Sequence, residues 1–512
     1  MPTESPQPNV SGDPTAGLGR RFWILVPLVG IGAGIGAGLL MKLLRLVQRI
    51  AWPAYAGNFL RAADAATAAH RVLVLLLAGA VVALLRWVLN RPTGGHSAEL
   101  TESIWFHAGR LPLLRTLGSA VTSITAVGLG ASVGREAAPK QVGAGIASVL
   151  GLRLRLPPAH RRLLVALGAG AGMGAVYNVP LGGALFALEV LLGTLALPLV
   201  APALATSFIA TAVSWVFLPD SPTYHIPVYS VSGPLLLWAV LIGPAAGLIS
   251  AAYVRLIAWA DALKPRTTSW LIAAPIATLL ALGMVSIRVP GLLGNGKDVV
   301  QLAFLGRMAT TTLLLIALLK PLATAGCIGS GTPGGLFTPT LTVGAAFGAL
   351  TGRLLAPLGA AAPGGACALI GATSVLAAST QGPASAIVLV LELTHHLDTV
   401  MVPVMIAVGE AVFVARLLES RSIYSGRIHA GTDAARHQWE HVPRISSAAR
   451  YVELLHTIMR MGREPTALKV IDERGELIGE IPPEQVIRTA DAHRPLEIAT
   501  ARDFAVGDRR GD

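Results

Sequence analysis

Gly168–Val190 reads GAGAGMGAVYNVPLGGALFALEV, and Gly371–Leu393 reads GATSVLAASTQGPASAIVLVLEL. Laid over one another at an offset of 203 residues, they match at Gly168/Gly371, Ala169/Ala372, Ala175/Ala378, Leu188/Leu391 and Glu189/Glu392. A proline precedes each glutamate by nine residues, Pro180 and Pro383. One segment upstream in each half stands a Gly/Pro-rich break, Gly134–Pro139 and Gly331–Pro339, again about 200 residues apart. Similarity among Ala/Gly/Leu-rich segments is cheap, but a glutamate in register inside both is not. Paired, interrupted apolar segments in the two halves of a chain mark a transport site between repeats.

The rest of the chain suits that reading. Its 512 residues are 53% hydrophobic and 13% charged, with a mean hydropathy of +0.63. Soluble domains carry about a quarter charged residues, and a soluble chain of this length would have to cover roughly three domains with polar surface. That excludes a soluble enzyme. A polytopic, all-α membrane protein remains. Apolar runs lie near 22–44, 71–89, 117–131, 163–192, 198–218, 233–258, 269–287, 311–328, 335–355, 365–379, 383–395 and 400–418. Several are shorter than the ~20 residues of a perpendicular span. Gly and Pro interrupt many, so half-helices ending inside the protein at membrane depth are expected.

The net charge of +12 is uneven. Of 40 basic and 28 acidic residues, 12 and 14 fall in residues 433–512, leaving 28 and 14 for the first 432. A basic body suits anionic lipid or an anionic substrate. Cytoplasmic loops, such as the one carrying Arg153, Arg155, Arg161 and Arg162, explain it equally well. Residues 1–19 are polar and rich in Pro, Ser and Gly and read as a disordered tail. Arg20 and Arg21 then flank the first apolar run. Many apolar segments follow and no cleavage site does, which favours a cytoplasmic N-terminus over a twin-arginine signal. The polar tail places the C-terminus on the same side. Cys327 and Cys367 lie in apolar runs and suggest neither a disulfide framework nor a metal site. Nothing in the chain calls for a cofactor or a nucleic acid.

Gly134-Arg135-Glu136-Ala137-Ala138-Pro139 sits between apolar runs. A glycine-led break that opens a helix exposes backbone N–H groups and the positive end of the helix dipole, an anion site without a full positive charge. The Glu136 carboxylate can occupy the place of that anion, and protonation would release it. A charge at membrane depth costs about 2.5–3.5 kcal/mol on insertion scales, which makes Glu136 a functional candidate. The plainer alternative is an interfacial loop with an Arg135–Glu136 pair. The second break, Gly329-Ser330-Gly331-Thr332-Pro333-Gly334-Gly335-Leu336-Phe337-Thr338-Pro339, lets the backbone approach a ligand closely. The amides of Leu336 and Phe337 would open the next helix. A re-entrant turn between packed helices is the alternative.

These stretches resemble the CLC family of chloride channels and proton–chloride exchangers over roughly residues 20–430. GSGTPGGLFTPTLT, Gly329–Thr342, is similar to the family's GxFxP region, and GREAAP to its GREGP motif, with Ala137 and Ala138 replacing Gly and Pro. Asn178-Val179-Pro180-Leu181 resembles its NxPL segment, and Ser422–Ser425 the region of its pore tyrosine. The resemblance implies an inverted-repeat bundle of tilted and broken helices, a homodimer, and one pore per subunit. It makes Glu136 the gating glutamate, flanked by Gly134, Arg135 and Ala137. Gly335, Leu336, Phe337 and Thr338 would carry the anion-binding amides, and Tyr424 a hydroxyl donor. The family's GSGIP motif is degraded to Gly94-Gly95-His96-Ser97-Ala98-Glu99, so either His96 or Ser97 stands at the pore serine. Exchangers of the family carry a second glutamate one position after the residue matching Glu189; here it is Val190. Adjacent helix positions point about 100° apart, so Glu189 is a poor substitute. The reading therefore favours passive, Glu136-gated chloride conduction over coupled exchange. The altered GSGIP region keeps fluoride and other small anions open.

Beyond residue 432 the composition becomes that of a soluble module. Ala467–Asp472 and Glu476–Ile481 read as strands around a turn at 473–475, with a helix from Pro482 to Thr489. This α+β segment, 433–512, resembles a single CBS module. Such modules pair to bind nucleotides, so one motif argues against nucleotide binding and for a regulatory or dimer-contact role. Lys140, just after the gating motif, is unusual at its depth; it raises the local potential or snorkels to the interface. An intramembrane serine protease would use Ser330 with His395 or His396 as base, leaving Glu136 and the repeat unexplained. A lipid-facing receptor or scaffold would pass no ion at all.

Overall fold

The structure, a computed structural model, describes residues 17–89, 100–265, 267–358, 362–395 and 398–425, with the tail segments 444–446, 468–471 and 477–481. The described residues up to 425 form seventeen α-helices. They run α1 (Arg20–Ala51), α2 (Phe59–Ala65), α3 (Ala68–Leu89), α4 (Leu100–Phe106), α5 (Leu113–Gly128) and α6 (Ala137–Arg153). Then come α7 (Pro158–Tyr177), α8 (Pro180–Leu185), α9 (Leu197–Ser214), α10 (Gly233–Ala262), α11 (Thr268–Val285) and α12 (Lys297–Phe304). The series ends with α13 (Thr310–Gly329), α14 (Phe337–Leu355), α15 (Gly364–Thr380), α16 (Pro383–Thr394) and α17 (Met401–Leu417). Six of them, α1, α3, α9, α10, α11 and α13, are long and apolar enough to cross a membrane.

The apolar run 163–192 is not one helix. It breaks at Asn178, the C-cap of α7, with φ 57° and ψ 48°. Asn tolerates this left-handed conformation because its short side chain bonds locally. Pro180 then starts α8, where its missing N–H costs nothing. The second half repeats the device at the same offset: Gln381 caps α15 with φ 55° and ψ 32°, and Pro383 starts α16. α8 continues into a π-helical turn, Phe186–Leu192, a local widening often found at functional sites.

The glutamates in register explain how the halves join. The Glu189 carboxylate accepts the N–H groups of Ala384 (3.2 Å) and Ser385 (2.6 Å) and the Ser385 hydroxyl (2.5 Å). Glu392 accepts the N–H groups of Leu181 (3.0 Å) and Gly182 (2.6 Å). Each carboxylate thus caps the N-terminus of the other half's short helix and meets its dipole. Reciprocal contacts of this kind are the mark of a two-fold relation, here within one chain. The α6–α7 and α14–α15 crossings follow the same symmetry. A Cβ on Gly143 or Gly168 would overlap the other's carbonyl, and so would one on Gly344 or Gly371. Small residues let the backbones approach where lipid offers no hydrophobic drive.

Lys320, 0% exposed within α13, is a further product of burial. Its ammonium donates to the carbonyls of Leu292 (3.0 Å) and Gly294 (2.8 Å), fixing the turn before α12. The chain divides into two units, residues 1–430 and 431–512. In the second, β1 (Arg444–Ser446) pairs in parallel with β2 (Leu468–Ile471), which pairs antiparallel with β3 (Leu477–Ile481). β2 and β3 fall within the two expected strands; β1 carried no clear sequence signal. The turn at 473–475 and the helix expected over Pro482–Thr489 lie outside the described residues, as does most of the N-terminal tail.

Candidate functional site

The two Gly/Pro breaks meet. Gly134 donates its N–H to the Gly335 carbonyl at 2.7 Å, and Gly335 returns the bond at 2.8 Å, a single antiparallel bridge between distant loops. A side chain on either glycine would overlap the Glu136 carboxylate, which lies against both backbones. Glu136 is the residue before α6 and is 0% exposed. Its Oε1 accepts the N–H of Phe337, the first residue of α14, at 2.6 Å. Its Oε2 lies 3.2 Å from the Tyr177 hydroxyl and 3.3 Å from the Thr338 hydroxyl. Those two hydroxyls lie 2.6 Å apart; with one proton each, one donates to the other and the second to Oε2.

The energetics favour this arrangement. A hydrogen bond to a charged group contributes about 1.5–3 kcal/mol. The short amide bond and one hydroxyl bond, together about 3–6 kcal/mol, offset the ~2.5–3.5 kcal/mol cost of a charge at membrane depth. The positive end of α14 adds to them. Every donor around the carboxylate is neutral, so another anion of similar size can take the same bonds.

Two cavities approach this point. One of about 340 Å³ is walled by Arg135, Tyr177, Asn178, Thr223, Lys297 and Asp298, among others. The other, about 310 Å³, is walled by Arg86, Ala137, Lys140, Gly335, Leu336 and Tyr424, among others. Among the described residues they share no lining residue. Arg135 lines the first and Ala137 the second, and Glu136, between them in sequence, lines neither.

The sequence-derived residues Gly134, Glu136, Gly335, Phe337 and Thr338 come together at one point, with Leu336 as the N-cap of α14. Arg135 turns away: its guanidinium lies over the Tyr177 ring, 4.9 Å from the centroid. Ala137 and Tyr424 line the smaller cavity. Tyr424 stands edge-on to Phe186 at 5.6 Å, and its position is fixed by the Ile423 N–H donating to the Ser379 carbonyl at 2.7 Å. Val190 packs against Gly382 beside the Glu189 cap. His96 and Ser97 lie outside the described residues. The Ser330 hydroxyl donates to the Cys327 carbonyl (2.8 Å) and meets the Thr332 hydroxyl (3.0 Å). His395 is the exposed C-cap of α16, and His396 is outside the described residues.

Sequence reasoning missed Tyr177 and Phe186. The available signal was position: Tyr177 immediately precedes the Asn178–Leu181 segment, at the buried end of a glycine-rich helix.

A family model described as "Voltage gated chloride channel" matches residues 74–416. A putative chloride channel protein, ClcB-like, from Ralstonia nicotianae is 34% identical over 371 residues, covering 70% of this chain and 84% of the relative. Among solved structures, a slow cyanobacterial Cl−/H+ antiporter superposes with a TM-score of 0.70 at 22% identity, over 82% of this chain and 100% of that one. A CLC-type fluoride/proton antiporter gives 0.65 at 22% identity, over 79% and 97%. At that identity the two structures speak to the fold alone.

Proposed function

The chain belongs to the voltage gated chloride channel family of multi-pass membrane proteins, and from that premise we propose that it conducts chloride passively through a pore gated by Glu136. The observation that carries the reading is the Glu136–Phe337 bond, with Arg135 and Ala137 on either side of Glu136 lining separate cavities. An entering chloride competes for the Phe337 N–H and the Tyr177 and Thr338 hydroxyls. When it wins, the carboxylate swings away and the cavities connect. Protonation of Glu136 removes its charge, weakens its bonds to the Phe337 N–H and the hydroxyl pair, and favours the open state. Neutral donors suit conduction, because a strong fixed charge at the constriction would hold the ion too long.

Passive flow, rather than exchange for protons, is supported by Val190 and by the commitment of Glu189. Exchange needs an acid that collects protons from one side and hands them to the gate. Val190 cannot, and Glu189 is occupied by two backbone N–H groups and one hydroxyl at the start of α16. On the family resemblance the protein works as a homodimer in the plasma or inner membrane, with both termini cytoplasmic. Residues 433–512 then serve as a regulatory module.

The test is chloride efflux from proteoliposomes with internal pH recorded simultaneously, for the wild type and Glu136→Ala. The reading predicts chloride flux without proton movement, and faster flux in the variant. A chloride gradient that drives protons uphill would make the protein an exchanger. Fluoride flux in the absence of chloride flux would change the ion.

A further inference from the structure

Glu410 is the tenth of the seventeen residues of α17, the middle of an apolar helix. It lines neither cavity and makes none of the contacts described above. The residue is half-buried. Its Oε2 is closed off from solvent and, among the described residues, has no hydrogen-bond partner. What this oxygen meets is bare main chain: a Cβ added to Gly243 of α10 would lie 2.3 Å from it. One turn on, a Cβ at Gly247 would lie 2.6 Å from the Ala411 carbonyl oxygen. The two glycines form the kind of small-residue seam on which helices close in lipid. Leu237, Val240 and Leu241 of α10 and Met405 and Phe413 of α17 are exposed and apolar, so the pair of helices presents an apolar outer side.

A carboxylate in such a place needs a cation or a proton. Among the described side chains no cation pairs with Glu410, and the ionisable groups on the helices packed against α17 are engaged elsewhere or distant. On α10, Tyr253 and Arg255 lie ten and twelve residues beyond Gly243, about 15–18 Å along the helix. Arg255 donates to the Leu418 carbonyl at 2.8 Å, and Asp261 pairs with Lys264 at 2.8 Å. α15 offers only Cys367, and α16 only Glu392, which caps α8. On α17 itself, Arg416 donates to Gln381 Oε1 at 3.4 Å. A proton is what remains. A carboxylic acid is a hydrogen-bond donor, and α10 has an acceptor to spare: Pro244 has no N–H to give the Val240 carbonyl, less than one turn from the Gly243 contact.

We propose that Glu410 is a proton-binding site in the seam between α10 and α17, away from the anion path, with its acid proton given to the Val240 carbonyl. With the proton bound, the seam is closed. Loss of the proton leaves an ionised carboxylate against the Gly243 backbone and loosens α17 from α10. That movement has a route to the pore. The chain leaving α17 is held by Arg255 at Leu418 and by the Ile423 N–H at the Ser379 carbonyl, 2.7 Å, and Tyr424 follows directly. The proton site stands without the anion-transport reading; its effect on flux rests on that reading.

The first test labels the full chain in lipid vesicles with dicyclohexylcarbodiimide, a lipid-soluble reagent for protonated carboxyls. The acid O–H adds across the carbodiimide and the adduct rearranges to a stable N-acylurea, with no group leaving. Mass spectrometry should find one reagent molecule on the Glu410 peptide at neutral pH, less in alkali, and none in Glu410→Gln. A Glu410 peptide unlabelled at every pH would overturn the proposal. The second test is thermal unfolding. A native state holding a proton that the unfolded chain releases loses stability as pH rises, so the wild-type melting temperature should fall with pH relative to Glu410→Gln, whose amide mimics the neutral acid. Parallel pH courses would overturn the proposal as well. Flux is then compared in the Glu136→Ala background, which removes the titration of the gate. Raising the pH should lower chloride efflux several-fold with Glu410 present and leave it unchanged with Glu410→Gln; equal pH dependence would overturn the coupling to the pore. Absence of chloride flux at every pH would remove the transport reading, and labelling and melting would still decide whether Glu410 holds a proton.

Discussion

The Glu136 carboxylate accepts the Phe337 N–H at 2.6 Å, so a side chain of the first half closes the helix start of the second. The same two loops are tied by the Gly134–Gly335 bridge. Carboxylate and frame are therefore one construction: the bridge sets how far Glu136 lies from Phe337, and the bare glycines leave room for its carboxylate.

Tyr177 should act as a latch. Its hydroxyl donates to Glu136 Oε2 at 3.2 Å. Tyr177→Phe removes a hydrogen bond to a charged group, about 1.5–3 kcal/mol at most, without changing the ring that faces Phe337. Chloride should displace Glu136 more easily, and efflux at low chloride should rise several-fold. Slower efflux would mean that the phenol serves the ion more than the gate.

Gly335→Ala should block the site. The added Cβ would overlap the position of Glu136 Oε1, which is also the place the anion takes. Flux should fall, and adding Glu136→Ala should not restore it, because the methyl still fills the shared place. Fully additive effects in this double-mutant comparison would contradict the shared site.

The reciprocal caps should be structural. Glu392→Ala strips two N–H groups at the start of α8 of their acceptor, and Glu189→Ala does the same at α16. Each should lower stability by about 1–3 kcal/mol, read as earlier thermal unfolding in detergent. Glu189→Gln, which keeps an acceptor oxygen, should conduct chloride as the wild type does, again without proton movement. Proton movement in the wild type that is lost in Glu189→Gln would assign Glu189 a part in proton transfer.

Much of this was legible in the sequence because it rests on backbone chemistry. Gly and Pro mark where helices stop, the 203-residue offset carried both prolines and both glutamates, and the two Gly/Pro breaks lie about 200 residues apart. The purpose of those glutamates was not legible: a buried carboxylate reads the same whether it meets an ion, a proton or a helix end. Tyr177 escaped for a similar reason, since a tyrosine in an apolar helix resembles any core aromatic until its hydroxyl is placed. Lys320 is silent in the sequence too, because its partners are carbonyls 26 and 28 residues away. Arg135 is the opposite case. Its neighbour in sequence is Glu136, yet its guanidinium stacks on Tyr177 in the larger cavity.

The central claim is that the Glu136 carboxylate stands where an anion binds. Anomalous diffraction from bromide-grown crystals of Glu136→Ala tests it most directly. The account predicts a bromide peak at hydrogen-bonding distance from the Phe337 N–H and the Tyr177 and Thr338 hydroxyls, absent from wild type. Crystals of the variant with no bromide at that position would contradict it.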